Sequence, residues 1–281
     1  MSILEATAVE LSVPPVDQVL DLHGDPAHHD LALFMHGNQW MAMDALLREF
    51  QAANPQVRSI YYETLPPGIL VQQLRRGTLL MGELIIRVVP DVLTAGVEML
   101  EELVEEGRVR RYDPYASNRL AILVRRGNPQ AIAEWADLVR PGVRVALPDP
   151  ETEGIGRLVR EAVTGTLGAD AWVELAERKV ERGSALWTRI HHRETPLNLL
   201  AGRVDAGPVW LTEALYQVRL GMPLDLVHLP ERQGRRGRYG AAVLAGSSPH
   251  PEAAQAFVDF LRGPQGQDVL ADYGFEGPGN Q

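Results

Sequence analysis

The chain has 281 residues, with 27 basic and 37 acidic side chains, eight histidines and a formal net charge of −10. That balance argues against general nucleic-acid binding, which needs a basic surface to neutralise phosphates. The absence of cysteine excludes disulfides, thiolate catalysis and zinc–sulfur sites.

A hydrophobic fraction of 45% beside 23% charged residues is that of a globular protein, and the length suits two lobes rather than one core. Residues 1–30 are acidic, proline-bearing and irregular, and they are expected to form an N-terminal arm. They carry no basic n-region or continuous apolar h-region, which points to a cytoplasmic chain as written, or a periplasmic one if the chain is a processed form. No apolar run reaches the ~18–20 residues of a membrane span, so membrane insertion is not expected.

From residue 31 the chain alternates strands and helices. LALFMHG (31–37) reads as a short buried strand, and NQWMAMDALLREFQAANP follows with Met41, Leu46, Leu47 and Phe50 at helical spacing. VRSIYYETLPPG (57–68) is a second strand entering a turn, and ILVQQLRRG the next helix. ELIIRVVPDVLTAG (83–96) carries strand signal, and VEMLEELVEEG an amphipathic helix. NRLAILVRRGNP, RVALPDP, RVDAGPVW, LDLVHLP and GRYGAAVLAGS (237–247) give further strands, interleaved with the helices TEGIGRLVREAVTGTLG and LTEALYQVRLG. PHPEAAQAFVDFLRGPQGQDVLADYGF closes the chain as two helices. Strands alternating with helices across short loops predict a doubly wound α/β architecture with parallel sheet.

Several phrases resemble one family. VPDVLTAG (89–96), NRLAILVRRGNP (118–129), ALPDPETEGIGRLVREAV, LLAGRVDAGPVWLTEA and AAVLAGSSPHPEAAQAFVDFLRGPQGQDVLADYGF occur in the order found in type II periplasmic solute-binding proteins. The similarity is greatest to their molybdate, tungstate and sulfate-binding branch, and it spans about residues 31–275. The resemblance implies two Rossmann-like lobes, 31–116 plus 231–281 and 117–230, with a ligand cleft between them. It also implies capture of an oxyanion or small organic acid without a cofactor, either as the capture subunit of an ABC importer, with its membrane subunits as partners, or as a cytoplasmic carrier or sensor. The chain departs from the family at the cleft: His36–Trp40 and Thr64–Gly68 stand where small residues and serines are usual, and Trp210 replaces a tyrosine. A segment near TLLMGELII (78–86) is extra.

Helix N-termini present unpaired N–H groups and partial positive charge, a ready receptor for a small anion. The ligand-binding candidates are therefore Gly37, Asn38 and Gln39; Pro67 and Gly68; Thr94; Thr152, Glu153 and Gly154; His191, His192, Arg193 and Thr195; and Trp210 as an apolar wall. Asn38 and Gln39 also suit simple capping, and Pro66–Gly68 a structural turn. Thr195-Pro196 has the form of a helix start, threonine at the cap and proline at the first turn, with Leu197, Leu199 and Leu200 packing inward. HHRE (191–194) is then the lip of that helix mouth, and Arg193 can pair with an anionic group.

Two other classes compete. His191, His192 and His36 offer imidazoles for a divalent metal, but no HExxH-type spacing is present, and adjacent histidines in a loop point different ways. Asp91, Asp149 and Asp205 sit near strand ends, where a catalytic carboxylate pair competes with capping roles. No nucleophile elbow, P-loop or dinucleotide-binding glycine motif is present.

Overall fold

The computed structural model describes residues 9–10, 21–244 and 250–278. The chain divides into two compact units, one running up to Ser117 and resuming at Arg238, the other spanning Asn118–Gly237.

The first unit contains strands β1 (Val9–Glu10), β2 (Leu22–His23), β3 (Leu31–Phe34), β4 (Ile60–Glu63), β5 (Leu79–Met81), β6 (Leu84–Ile86) and β7 (Val92–Gly96). β8 (Asp113–Arg125) leaves it, and β13 (Arg236–Val243) returns to it from the second unit. Its main sheet has the order β13-β7-β3-β4-β2. β7, β3 and β4 are parallel, β13 runs antiparallel to β7, and β2 is an antiparallel edge strand. β3 is buried along its whole length, which is why LALF lacks the apolar–polar alternation of a half-exposed strand. The helix Met43–Ala53 turns Met43, Leu46, Leu47 and Phe50 inward. Phe50 meets Phe257 and Phe260 of the helix Pro251–Arg262 edge-on, with centroids 5.1 and 5.6 Å apart.

The N-terminal arm is less irregular than its sequence suggests. β1 pairs in parallel with β5, and β2 antiparallel with β4, where the His23 ring stacks on Tyr62 at 4.4 Å. Each two-residue strand occupies an edge whose backbone groups need partners. The rest of the arm, through residue 20, lies outside the described residues, as do residues 245–247 of the expected final strand. The extra segment TLLMGELII is the hairpin β5–β6, turning at Gly82 with φ +59°.

The second unit orders β10 (Ala185–Thr188), β9 (Val145–Pro148), β11 (Ala206–Trp210) and β8 in one sheet, with β12 (Leu224–His228) antiparallel to β8. β10, β9 and β11 are parallel; β11 and β8 are antiparallel. Its core gathers Leu123, Ala146, Leu199, Val204 and Val209. Two glycines are required by close approach. A Cβ on Gly207 would lie 2.5 Å from Thr195 Cγ2 and 3.1 Å from the Ala146 carbonyl, so glycine lets the helix His191–Leu200 settle on the sheet. A Cβ on Gly237 would overlap the Trp210 ring. The one lysine of the chain, Lys179, is 1% exposed, and its Nζ donates to the carbonyls of Arg140 (2.8 Å) and Val143 (2.6 Å). Burial pulls its pKa down to about 8.

Candidate functional site

In the first unit, Gly37, Asn38 and Gln39 open a 3₁₀ helix (Gly37–Ala42) rather than the α-helix itself, and all three are buried. His36 caps it, its Nδ1 accepting from the Asn38 N–H at 3.3 Å, while its own N–H donates to Thr94 Oγ1 at 2.7 Å. Asn38 Nδ2 donates to the Tyr239 hydroxyl at 2.6 Å, and Gln39 Nε2 to the Tyr115 hydroxyl. The His36 ring lies edge-on to Tyr239 at 4.8 Å. Thus the structure brings Asn38, Gln39 and Thr94 into one buried network with His36 and two tyrosines. The side-chain oxygens of Asn38 and Gln39 have no hydrogen-bond partner among the described residues. Neither tyrosine stands out in the sequence, because each belongs to a strand far along the chain from the histidine turn.

Pro67 and Gly68 open the helix Pro67–Arg76 with Pro66 at its cap, and the nearby Thr64 hydroxyl is directed to Asp21 at 3.2 Å. Burial raises the pKa of Glu63, one residue before, to about 7, although Tyr61 and Gln73 donate to its Oε1 at 2.7 and 2.9 Å.

The second unit overturns the expected helix start. The helix runs from His191 to Leu200 with Ile190 at its cap, so Thr195 is an interior residue and Pro196 lies within the second turn. HHRE is the first turn of the helix and not a loop, and all four side chains are buried. The cap is made backwards from Glu194, whose carboxylate accepts from the Arg189 and Ile190 N–H groups at 3.3 Å. A carboxylate within the first turn reaches back to N–H groups at and before the cap, as the acid of a capping box does, and complements the helix dipole. Pro196, inside the helix and without an N–H, leaves the His192 carbonyl without its usual intrahelical donor. Thr195 is fully buried, its methyl against Gly207, and its hydroxyl has no hydrogen-bond partner among the described residues. Leu199 packs inward, but Leu200 is 37% exposed.

Glu153 caps the helix Gly154–Leu167 by position but not by side chain. Its carboxylate instead accepts from the Thr188 hydroxyl at 3.3 Å and the His191 N–H at 3.0 Å, and contacts His191 Nδ1. Thr152 and Gly154, on either side, are exposed. The other ring nitrogen of His191, Nε2, lies 3.2 Å from Glu213 Oε1. Burial alone would lower the pKa of His191; the two carboxylates outweigh it and push it up to about 10. Burial raises that of Glu213, with His191 opposing. Arg193 Nε donates to His192 Nε2 at 3.2 Å. Glu213 also accepts from the Trp210 N–H at 3.0 Å, tying the end of β11 to the next helix. Trp210 is 2% exposed, with its ring against Gly237. Glu213 was missed by the sequence reading, although its place three residues after a strand end is that of a capping-box acid.

His191, His192 and Glu213 thus converge, whereas His36 belongs to the network of the first unit. The three aspartates hold structural bonds. Asp91 accepts from the Ala32 N–H (2.8 Å), Asp149 from the Glu151 N–H (2.9 Å), and Asp205 from Arg125 (2.6 Å) and Arg144 (2.9 Å).

Parallel strands with helices following them, in two units linked by the strands β8 and β13, define an α/β binding-protein fold. Residues 31–276 match the family of bacterial extracellular solute-binding proteins, and the chain belongs to that family. It is 26% identical over 253 residues to the molybdate-binding protein ModA of Mycobacterium bovis, covering 88% of this chain and 85% of that protein. A shorter stretch of 44 residues is 48% identical to the sulfate-binding protein of Escherichia coli, 16% of this chain and 13% of that one. Among solved structures, the periplasmic molybdate-binding protein of Azotobacter vinelandii is similar in fold, with a TM-score of 0.69 at 16% identity over 88% of this chain and 98% of that chain. The sulfate-binding protein SubI of Mycobacterium tuberculosis gives 0.68 at 24% identity over 89% and 87%. Among the described residues, no helix is long and apolar enough to cross a membrane.

Proposed function

We propose that this chain captures a small oxyanion, of the molybdate, tungstate or sulfate kind, or a small organic acid, and delivers it to the membrane subunits of an ABC importer. The similarity to a molybdate-binding protein along 253 residues carries this reading. The family's extracellular character supports a place outside the cytoplasmic membrane, in preference to the cytoplasmic location suggested by the N-terminal residues. The named relatives are binding proteins, which supports a carrier without chemistry of its own.

The residues proposed to meet the ligand are those of the two networks. In the first unit these are Asn38, Gln39 and Thr94, with the backbone at Gly37, Pro67 and Gly68. In the second they are His191, His192 and Arg193, with Thr152, Glu153, Gly154, Thr195 and Trp210 around them. Arg193, 4% exposed, is the guanidinium suited to bidentate anion pairing. Glu153 and Glu213 would repel a dianion, and the protonated ring of His191 between them offsets that repulsion.

A ligand that binds only the folded state raises the melting temperature by mass action. Molybdate, tungstate, sulfate, phosphate and small carboxylates should be titrated in EDTA-treated buffer. At least one should raise the melting temperature at saturation, and a flat response to the whole panel would remove the anion reading. Arg193→Ala should weaken anion binding at least ~10-fold while costing less in folding, as expected for loss of a charge-assisted pair. Equal losses in both would make Arg193 a structural residue.

A further inference from the structure

The cluster on the helix His191–Leu200 has chemistry beyond that of an anion receptor. Ligand atoms of His191, His192 and Glu213 all lie within 4.8 Å of one another, and each residue is buried. The two imidazole rings stand nearly perpendicular, 87° apart with centroids at 5.4 Å. Around a tetrahedral zinc ion, with bonds of about 2.0–2.2 Å, neighbouring ligand atoms are about 3.3–3.5 Å apart. His191 Nε2 and Glu213 Oε1 already stand 3.2 Å apart. Glu213 is held from behind by the Trp210 N–H on its other oxygen. Glu153 grips Nδ1 of His191, and its other oxygen is held by the Thr188 hydroxyl. A carboxylate on the far nitrogen of a histidine fixes the tautomer and orientation that metal binding requires.

We propose that His191 Nε2, His192 and Glu213 form a divalent transition-metal site inside the second unit, with zinc as its best-suited ion and Glu153 as the positioning carboxylate. Imidazole and carboxylate donors without thiolate suit zinc, nickel and cobalt. The ion takes the place of the proton between His191 and Glu213. With both imidazoles neutral, its two positive charges balance Glu153 and Glu213. An imidazolium held between two carboxylates accounts for His191 alone; it gives no reason for a second imidazole nitrogen within 4.8 Å of both partners. Arg193 donates to His192 Nε2, which leaves the proton of the neutral ring on Nδ1, so His192 ligates only by giving up that hydrogen bond for the ion. Three protein ligands leave a fourth coordination position.

The test uses the whole chain, stripped with EDTA, dialysed and titrated with zinc chloride, with cobalt(II) as a spectroscopic probe. The expected result is one zinc per chain, a raised melting temperature, and a visible cobalt spectrum of low-symmetry coordination. Glu213→Gln and His192→Gln should each weaken uptake by about 10-fold or more, and Glu153→Gln by roughly 10–100-fold. Arg193→Ala should keep the single zinc while losing anion affinity. Absence of stoichiometric uptake overturns the proposal, as does uptake that survives both His192→Gln and Glu213→Gln, which would assign the metal to other histidines such as His23, His28 and His29. Where a variant fails to fold, peptide-resolved hydrogen exchange on the wild-type chain decides. Zinc-dependent protection of residues 191–213 supports the site, and protection confined elsewhere refutes it. Because the anion panel is run in EDTA, either reading can fail without the other.

Discussion

At the scale of single residues, the structure separates groups that one sequence pattern treats alike. Asp91, Asp149 and Asp205 sit at comparable strand ends, yet each is occupied by backbone or arginine donors. Glu63 is different, a buried carboxyl whose Oε1 takes two donors while Oε2 has no hydrogen-bond partner among the described residues. Its pKa rises from 4.5 to about 7 in the folded chain. Between those values the native state holds a proton that the unfolded chain releases, so stability falls as pH rises through the window. Below it both states are protonated and the penalty vanishes; above it the full cost, up to about 3 kcal/mol, is present. Glu63→Gln should therefore flatten the pH dependence between about pH 4.5 and 7, and leave the variant more stable than wild type at pH 8. Urea melts at several pH values would show this, and parallel curves for the two proteins would refute it. Glu153 and Glu213 are the residue-scale lesson in legibility. Glu153 was visible as a helix-mouth acid, but its partner lies 38 positions away, and no local spacing announces such a pair.

At the scale of elements, strands and long helices were legible because their periodicity is carried by many residues. The parallel strands around β3 and β9, and the helices Gly154–Leu167 and Pro251–Arg262, fall close to where the apolar pattern puts them. The misplacements are at ends and edges, and the helical run 169–181 with the strand β10 after it was not read from the sequence at all. β1 and β2 have two residues each, too few for any period, and exist because a sheet edge is available to them. The helix His191–Leu200 starts ahead of its Thr-Pro signal because Glu194 supplies the cap from inside the first turn. That shift places both histidines on helical backbone, where neighbouring side chains still diverge, and convergence comes from the Glu213 helix instead. The seat of this helix depends on one missing side chain. Gly207→Ala should cost about 1–3 kcal/mol through overpacking against Thr195 and the Ala146 carbonyl. Thr195→Ser removes the colliding methyl, so the double variant should recover part of that loss in a chemical-denaturation cycle. Strict additivity would show that the contact does not govern the packing.

At the scale of the whole molecule, the family was legible because its phrases recur in order across most of the chain, and matching residues 31–276 accordingly assigns it. Ligand identity was not legible, since the two helix mouths at 36–40 and 64–68 carry histidine, asparagine, glutamine and proline where the resembled family has serines. The carbonyl-bound amine of Lys179 has a further consequence for the molecule in hand. With arginine supplying every other basic side chain, the native surface offers acylating reagents no lysine to attack. Amine coupling to a sensor chip or a dye should attach the folded chain through its α-amino group alone, giving a uniformly tethered population. Intact-mass analysis should show one adduct under native conditions and a second only after denaturation.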